Sequence, residues 1–222
     1  MDQITGTVQA RRGRPTKEEA EARQEQLLEC AIDHFLERGY ERATVEAIAA
    51  DVSMTKRTVY AKYEDKAALF HAAVYRAIDR FAPAAEAIES TSSGDLEQTL
   101  TNIAMLRIDL IGTRDGVRLQ QIINVESYRF PEIFTRYYEV AAKPTVDFLK
   151  QVLVDATARG ELVIDRPGLA ANTFMSMVVG GPVRFITSGN ALPRAKVEDQ
   201  VGFAVRLFLD GARTRNEGVS GR

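Results

Sequence analysis

Cysteine is almost absent from this 222-residue chain, in which Cys30 is the only one. A single thiol excludes an internal disulfide framework and fits a protein of the reducing cytoplasm. Histidine is nearly as scarce, with only His34 and His71. Cys30 and His34 lie four residues apart on one flank of a predicted helix, a spacing that a metal ion accepts. Because two ligands from one helix do not make a site, the sequence predicts no metal and no cofactor.

Long apolar runs are missing too. No run approaches the ~18 residues needed to span a bilayer, and the initial stretch MDQITGTVQARRGRP lacks the apolar segment of a secretory signal. The sequence shows no P-loop, no Rossmann glycine pattern and no nucleophile elbow, and no clustered acid–base pair accompanies the two histidines. We therefore expect a cytoplasmic protein that is not an enzyme and has no membrane partner.

Neither sign of charge dominates, because 29 lysines and arginines face 31 aspartates and glutamates, for a net charge of −2. This balance excludes a uniformly basic nucleic-acid binder but allows a local basic face. Strand-type alternation is scarce, whereas apolar residues recur at helical spacing behind residues that favour helix N-caps. With 45% hydrophobic residues to fill a core, the chain is predicted to be all-α, with nine to ten helices.

Particular residues mark where helices begin and end. Predicted N-caps are Thr16, Thr44, Thr55 and Asp65. Thr16 is followed three residues later by Glu19, which is the capping-box pattern. Gly39 is expected to end the first long helix in a left-handed conformation. A later helix opened by Pro167 is expected to be interrupted by the GGP stretch at residues 180–182.

The stretch VSMTKRTVYAKYEDKAALF, from Val52 to Phe70, places basic residues, aromatics and hydroxyls between two apolar segments. On a helix that begins at Thr55, Val59 and Tyr63 fall on one side and the basic residues fall on the other. The inward side extends the apolar positions of the preceding short helix, so the two helices share one small core. This pattern predicts a helix-turn-helix, whose second helix can enter the major groove of DNA.

The outward side of this helix suits DNA chemically. Lys56 and Arg57 lie in its first turn, and an arginine can bind O6 and N7 of guanine together. Tyr60 has an apolar body and a hydroxyl that reaches a phosphate, while Lys66 and the free amides behind caps such as Thr44 also favour phosphate. The basic arm expected to enter an adjacent minor groove contains Arg11, Arg12 and Arg14. The alternative is a solvated helix that carries a few cations.

The span TVEAIAADVSMTKRTVYAKYEDKAALF, residues 44–70, resembles the DNA-binding signature of the TetR/AcrR family, and AIDHFLERGYERAT, residues 31–44, resembles its first helix and exit. The resemblance implies a homodimeric, all-helical transcription regulator, usually a repressor that a small ligand releases. It places the expected DNA contacts at Thr44, Thr55, Lys56, Arg57, Thr58, Tyr60 and Lys66. Ser53 departs from the family's common glycine, Met54 from a β-branched residue and His34 from a leucine. If the turn needs a positive φ, Ser53 is unfavourable there.

The stretch RLQQIINVESYRFPEIFTRYYEVAAKP, residues 118–144, resembles the C-terminal domain of an AefR-like subgroup of the family. Nearby, Arg107 and Glu126 each interrupt an apolar helical row. Either they pair with each other or with neighbours, as buried charges usually do, or one of them anchors the polar end of a ligand. The ligand-binding candidates, in a mainly apolar pocket between helices, are Arg107, Ile123, Glu126, Phe134, Tyr137 and Phe174.

The last predicted helix is apolar over so wide an arc that it needs cover on two sides. One side carries Val201, Val205 and Phe208, and another carries Phe203 and Leu207. One side can pack on its own domain and the other on a partner chain, unless the helix is fully buried within the monomer. The predicted dimer interface comprises Phe174, Val178, Val201, Val205 and Phe208. A two-fold dimer is also what palindromic half-sites require.

The sequence therefore predicts four segments: a disordered basic arm at 1–15, a helix-turn-helix DNA-binding domain at 16–66, a ligand-binding and dimerisation domain at 67–214, and a disordered tail at 215–222. The predicted function is a repressor that an unidentified, small, largely apolar effector releases from a palindromic operator on double-stranded DNA. Two alternatives stay open. One is a helical small-molecule-binding protein without specific DNA binding, and the other is an activator with the same DNA-binding domain.

Overall fold

The regular elements in the described part of the chain are helices. The computed structural model describes residues 16–190 and 192–213. The helices are α1 Lys17–Arg42, α2 Val45–Asp51, α3 Lys56–Tyr60, α4 Lys66–Phe81, α5 Ala85–Glu89, α6 Leu96–Gly112, α7 Arg114–Glu126, α8 Pro131–Tyr137, a π-helical segment Tyr138–Ala142, α9 Lys143–Ala158, α10 Pro167–Thr187 and α11 Arg194–Ala212. Because α8, the π segment and α9 follow one another without a gap, they count as one helix and bring the total in these ranges to ten. The predicted all-α fold with nine to ten helices is confirmed.

Two predicted segments lie outside the described residues. They are the basic arm at 1–15, which contains Arg11, Arg12 and Arg14, and the tail at 215–222. The disorder and the DNA contacts predicted for them stay predictions.

Side-chain caps define the helix starts of the N-terminal region. Thr16 Oγ1 accepts the Glu19 amide at 3.2 Å, and the Glu19 carboxylate accepts the Thr16 amide at 2.9 Å, so the predicted capping box is confirmed. Three more predicted caps accept the amide three residues ahead, namely Thr44, Thr55 and Asp65. Gly39 has a φ of +71°, as expected for a helix exit, although helical backbone resumes beyond this kink as far as Arg42.

The chain divides into two units, Met1–Ala73 and Val74–Arg222, and α4 runs through the division. In the first unit the rings of Phe35, Tyr40 and Phe70 pack together, with centroids 4.8 to 5.9 Å apart. Phe70 belongs to α4, so the first turns of this helix complete the N-terminal core. The predicted boundary after Lys66 stays a prediction, and the aromatic contacts of Phe70 extend the N-terminal core beyond that residue.

The second unit has its own core, built mainly from α6, α9, α10 and α11. Phe174 of α10 is fully buried there, and Phe208 of α11 packs edge-to-face on it with ring centroids 5.1 Å apart. The predicted interruption of α10 is wrong, because the helix continues through residues 180–182 to Thr187. Pro182 is buried inside this helix, and packing on the core offsets the one amide hydrogen bond that a proline cannot make.

By length and composition, α10 is long and apolar enough to cross a membrane, with a mean hydropathy of 1.2, and it is the one such helix among the described residues. Polar residues such as Asn172 and Arg184 interrupt it, so the sequence shows no uninterrupted apolar run of that length. One helix of this kind is a weak indication, since core helices of soluble proteins pass the same test. Only 22% of its apolar window is buried. The protomer therefore leaves an apolar face of α10 uncovered.

Candidate nucleic-acid interface and effector region

The turn between α2 and α3 is held by backbone hydrogen bonds. The Met54 amide donates to the Ala49 carbonyl at 2.8 Å, and the Ser53 amide donates to the Ala50 carbonyl at 3.0 Å. Ser53 has a φ of +54°, and within the described ranges it is the only residue other than glycine with a positive φ. This turn therefore uses the left-handed conformation that glycine adopts most easily, and serine adopts it with some strain.

The inward side of α3 is anchored in the N-terminal core. Val59 and Tyr63 are buried, as are Ile48 and Ala49 of α2. The Tyr63 hydroxyl accepts a hydrogen bond from the side-chain amide of Gln24 on α1 at 3.3 Å, and burial raises the pKa of Tyr63. Because the inward side is fixed in this way, the other side of α3 is held facing solvent.

The outward side of α3 carries the residues predicted to read DNA. The exposed residues there are Lys56, Arg57, Thr58 and Tyr60. Lys56 forms an ion pair with Glu46 of α2, and its ammonium lies 5.5 Å from the centroid of the Tyr60 ring. The hydrogen bond in this pair raises the pKa of Lys56 and lowers that of Glu46. Glu46 was not predicted to belong to this surface, because no local pattern marks a contact between two helices.

Two threonines start helices at the edge of this surface. Thr44 Oγ1 accepts the Ala47 amide at 3.3 Å, and Thr55 Oγ1 accepts the Thr58 amide at 3.1 Å. The hydroxyls of Thr55 and Thr58 lie 2.8 Å apart, so the cap also orients Thr58. The amides in the first turn of a helix that are not bonded by the cap favour an anionic acceptor such as a phosphate oxygen.

Lys66 differs from the other predicted contacts because its ammonium is turned towards the end of α1. It donates to the carbonyl oxygens of Tyr40, Glu41 and Ala43 at 2.8, 3.1 and 3.2 Å. It also lies 4.5 Å from the centroid of the Tyr40 ring. A cation is favourable at this helix end because of the helix dipole. With three acceptors for its three protons, Lys66 contacts a phosphate only if one of these bonds breaks.

The structure thus brings part of the predicted DNA-binding set together. The residues on or beside α3 are Thr55, Lys56, Arg57, Thr58 and Tyr60. Thr44 starts α2, and Lys66 bonds to the end of α1. The helix caps and the buried side of α3 hold this surface in shape without DNA.

In the second unit, Arg107 of α6 is buried and has no carboxylate partner among the described residues. Its guanidinium donates to the Ala141 carbonyl at 2.8 Å and to the Tyr137 hydroxyl at 3.3 Å. It also lies 5.8 Å from the centroid of the Phe81 ring. Burial lowers the pKa of Arg107. A buried cation that meets only neutral acceptors is unfavourable, so this position favours a further acceptor.

Gln120 of α7 is a polar residue at this position that the sequence analysis missed. It is buried, and its side-chain amide donates to the Tyr137 hydroxyl at 2.7 Å. We call Arg107, Gln120 and Tyr137 the polar cluster. A signal was present in the sequence, because Gln120 lies next to Leu119 in a helix whose buried row is otherwise apolar.

The other predicted ligand residues are spread through the second unit. Ile123 is buried on α7, one turn after Gln120, whereas Phe134 has 53% of its surface exposed. Phe174 lies in the core of α10 and α11, and Glu126 is half-buried at the end of α7. Of the six, the structure brings Arg107 and Tyr137 into direct contact.

The predicted dimer residues mostly lie inside the protomer. Its own core contains Phe174, Val178, Val201 and Val205, and Phe208 is partly buried against it. The two sides of α11 were thus predicted the wrong way round, because periodicity does not show which side the rest of the chain covers. The exposed side carries Phe203 and Leu207, at 62% and 56% exposure, and Phe185 of α10 is also exposed. These three line a groove of about 500 Å³ between α10 and α11.

An exposed basic helix in a helix-turn-helix, in a chain with a larger helical unit, defines a DNA-binding transcriptional regulator. Residues 27–73 match the family described as bacterial regulatory proteins, tetR family. Residues 98–211 match the AefR-like transcriptional repressor, C-terminal domain. The chain belongs to the TetR family of ligand-responsive DNA-binding regulators, which typically act as dimers.

Three relatives show how far the likeness extends. The chain is 26% identical to the HTH-type transcriptional regulator YdeS of Bacillus subtilis over 200 residues, or 87% of this chain and 92% of YdeS. It is 28% identical to the HTH-type transcriptional repressor BepR of Brucella suis over 186 residues, or 76% of this chain and 82% of BepR. The solved structure of the flavonoid-responsive regulator FrrA is similar with a TM-score of 0.66 and 27% identity, covering 88% of this chain and 99% of FrrA.

Proposed function

We propose that the protein is a cytoplasmic, homodimeric repressor that binds a palindromic operator through α3 and is released by a small, largely apolar effector bound in its second unit. The observation that carries this proposal is the exposed face of α3, with Arg57 and Tyr60 held outward by the buried Val59 and Tyr63. Nothing in the proposal requires a catalytic step, and its partners are double-stranded DNA, a second copy of the chain and the effector.

We assign the DNA contacts by chemistry. Arg57, at the start of the recognition helix, binds a guanine edge, and the Tyr60 hydroxyl donates to a phosphate. Lys56 exchanges Glu46 for a phosphate when DNA arrives, because an exposed ion pair of this kind is weak. The hydroxyls and first-turn amides at Thr44, Thr55 and Thr58 bind phosphates. The basic arm with Arg11, Arg12 and Arg14 enters a minor groove.

Lys66 acts in this proposal mainly by positioning. Its three hydrogen bonds join the start of α4 to the end of α1. The start of α4 is also where Asp65 caps the helix, so Lys66 keeps that helix start in place for a phosphate.

The dimer forms through the exposed faces of α10 and α11. Phe185, Phe203 and Leu207 are large apolar side chains that no part of the described chain covers fully. A second copy that lays the same faces across the groove buries them in an isologous interface. In such a dimer two recognition helices read half-sites about 34–36 Å apart, or a multiple of that distance.

The effector binds at the polar cluster. Arg107 there is a buried cation without a carboxylate partner among the described residues, and Ile123 adds apolar surface on the same face of α7 as Gln120. An effector with an apolar body and one acidic or phenolic end supplies the missing acceptor. Because the relative FrrA is named as flavonoid-responsive, a planar phenolic compound is the first effector to test. We propose that Glu126, Phe134 and Phe174 contact the effector less directly than the polar cluster does.

Helix α4 connects effector to operator in this proposal. Its first turns belong to the N-terminal core through Phe70, and its last residue, Phe81, lies under the Arg107 guanidinium. Between them, Asp79 receives a hydrogen bond from Arg136 of α8 at 2.7 Å. An effector that displaces Arg107 from Phe81 therefore moves the C-terminal end of a helix whose N-terminal end carries the DNA-binding unit.

The DNA assignment is tested by footprinting the purified protein on the promoter region that flanks its own coding sequence. Arg57→Ala is expected to weaken operator binding by about 1–3 kcal/mol, or roughly 5- to 150-fold, and to relax sequence preference. Tyr60→Phe is expected to weaken binding less and to leave its salt dependence unchanged, because the lost hydroxyl carries no charge. Arg159→Ala, an exposed arginine of the second unit, is the matched control. Intact operator binding by both Arg57→Ala and Tyr60→Phe would show that the reading face is assigned incorrectly.

The same titration separates the alternative functions. Saturable, sequence-specific binding with a steep negative slope of log affinity against log salt is expected of the regulator. A small-molecule-binding protein without this property shows neither. Transcription from a reporter that carries the footprinted operator then distinguishes repression from activation.

The dimer and effector assignments have their own variants. The double substitution Phe203→Glu and Leu207→Glu is expected to yield monomers in light scattering, whereas Val125→Glu, at an exposed apolar residue of α7, leaves the dimer intact. Arg107→Met is expected to abolish binding of an acidic or phenolic effector while the operator is still bound. If Arg107→Met instead only lowers thermal stability and effector binding persists, the arginine has a structural role alone.

A further inference from the structure

Three side chains with ligand atoms for metals meet between α1 and the end of α2. His34 of α1 is buried, and its Nε2 lies 2.7 Å from a carboxylate oxygen of Asp51, the last residue of α2. Cys30, one turn before His34, is half-buried with its sulfur 3.7 Å from the Ile48 carbonyl oxygen. One ligand atom from each of Cys30, His34 and Asp51 lies within 4.8 Å of the other two.

We propose that Cys30, His34 and Asp51 bind a divalent transition-metal ion of the zinc type. A thiolate, an imidazole nitrogen and a carboxylate are ligands that zinc accepts, at about 2.0 to 2.3 Å from the ion. Ligand atoms at those distances in a tetrahedron lie about 3.3 to 3.8 Å apart, so separations within 4.8 Å need only a small closure. The Asp51 side chain is 62% exposed, which leaves an entry path and room for water as the fourth ligand.

The third ligand is what the sequence could not show. Cys30 and His34 lie on one helix and were set aside as an incomplete pair, and Asp51 comes from another helix after the chain has turned at Gly39. The side chain of Asp51 is also the most adjustable of the three, because most of it faces solvent. The site therefore arises from the packing of α2 on α1.

The histidine ring is free to present a lone pair. The Nδ1 atom of His34 is buried and has no hydrogen-bond partner among the described residues. The tautomer of a histidine is set by the bond that its other nitrogen makes. Because no such bond fixes Nδ1 here, the neutral ring can carry its one proton on Nδ1, which leaves the Nε2 lone pair for a metal ion once the His34–Asp51 hydrogen bond opens.

The local charge also favours a dication. The carboxylates of Asp51, Asp33 and Glu37 act electrostatically on the Cys30 thiol. These carboxylates disfavour a bare thiolate but attract a cation. When the ion binds, Cys30 ligates as the thiolate and its proton passes to solvent.

Metal binding would tie the end of α2 to α1 just before the strained turn at Ser53. If the proposed operator binding holds, occupancy of the site changes operator affinity by fixing α2. The metal site itself does not depend on that function, and its test therefore uses no DNA.

The test is a Co²⁺ titration of the full chain after removal of bound metals with a chelator. We expect one Co²⁺ per chain, a thiolate-to-cobalt charge-transfer band and visible bands of tetrahedral intensity, all abolished when Zn²⁺ displaces the cobalt. Cobalt absorption without a charge-transfer band would overturn the proposal, since the thiolate would then not be a ligand. Binding that appears only at millimolar metal would overturn it as well.

Variants identify the ligands. Cys30→Ser, His34→Leu and Asp51→Asn are each expected to weaken Zn²⁺ binding on the order of 100-fold or more, measured by competition with a chelating dye. His34→Leu introduces the residue that the TetR family usually has at this position, so the fold is expected to persist. Asp51→Asn changes an exposed side chain and keeps a hydrogen-bond acceptor for His34.

Two control variants remove a similar group nearby without touching the trio. His71→Gln removes the other histidine, and Asp33→Asn removes a neighbouring charge. Both are expected to keep one Zn²⁺ per chain with affinity changed less than about 10-fold. Equal loss in His71→Gln and His34→Leu would overturn the proposal, because it would show non-specific histidine binding. Circular dichroism of each variant identifies any that fails to fold, and Asp51→Asn then decides the outcome.

Discussion

The two units of this molecule differ in how far their functional residues are separated along the chain. Apart from the basic arm, the DNA contacts proposed for the first unit fall within residues 44–60, on two short helices and their caps. In the second unit the polar cluster joins Arg107, Gln120 and Tyr137 from three different helices. Local periodicity therefore suffices to orient one helix face, whereas a pocket depends on how several helices pack.

The contrast extends to the cations that the fold holds by hydrogen bonds. Lys66 in the first unit finds three carbonyl acceptors at a helix end, and its charge is favoured there. Arg107 in the second unit finds one carbonyl and one hydroxyl. A cation whose hydrogen bonds are all made within the fold indicates a structural role. A buried cation that lacks acceptors indicates a binding place for a ligand.

The largest expected effects come from matched core substitutions in the two units. Phe70→Ala and Phe174→Ala each empty a fully buried position and are expected to lower the free energy of unfolding by about 3–5 kcal/mol. Urea unfolding followed by circular dichroism measures both. Because the units have separate cores, we expect Phe70→Ala to reduce operator binding and Phe174→Ala to spare the first unit. Phe134→Ala, at a half-exposed residue, is the control, and a loss above about 1 kcal/mol there would contradict the exposed placement.

A smaller effect is expected from Lys66. Lys66→Met removes a cation that donates to three carbonyls and is expected to lower the free energy of unfolding by about 2 kcal/mol, measured by thermal or urea unfolding. Lys66→Arg keeps the charge and is expected to recover part of the loss. Unchanged stability in Lys66→Met together with a weaker operator complex would show that the lysine serves DNA and not the fold.

The helix caps test the first unit alone. Thr44→Ala and Thr55→Ala each remove a hydroxyl that accepts a helix amide, and each is expected to cost about 1 kcal/mol of stability in urea unfolding. Thr44→Ser and Thr55→Ser keep the acceptor and are the matched controls. If serine fails to restore stability, the methyl group and not the cap carries the effect.

The smallest expected effect is a gain in folding stability. Ser53→Gly relieves a positive φ at the turn and is expected to raise the free energy of unfolding by about 0.5–1 kcal/mol, after the added freedom of the unfolded chain is counted. Ser53→Ala keeps the strain and is expected to give no gain. A loss of stability in Ser53→Gly would mean that the serine side chain stabilises the turn.

Much of the first unit was predictable from the sequence. The capping box at Thr16, the caps at Thr44 and Thr55 and the inward side of α3 follow from residues three or four apart, and the structure has all of them. Phe70 lies after the predicted end of the domain and completes its aromatic core, a contact that no local pattern shows.

The second unit was predicted less well. The apolar stripes of α10 and α11 were found, but four of the residues assigned to the dimer belong to the protomer core. Both sides of α11 are apolar, and only the packing of α6 and α10 shows which side is covered. Gln120 interrupts the apolar buried row of α7, but its partner Tyr137 comes from another helix, so the sequence did not show what Gln120 contacts.

By itself, the sequence determined the helices, their caps, the inward and outward sides of α3 and the resemblance to the TetR family. These depend on spacings within one or two turns, which the backbone geometry of a helix converts directly into faces. Tertiary structure alone decided the partners of Lys66 and Arg107, the exposed side of α11 and the meeting of Cys30, His34 and Asp51. Such contacts arise when separate helices come together, and no local pattern contains that information.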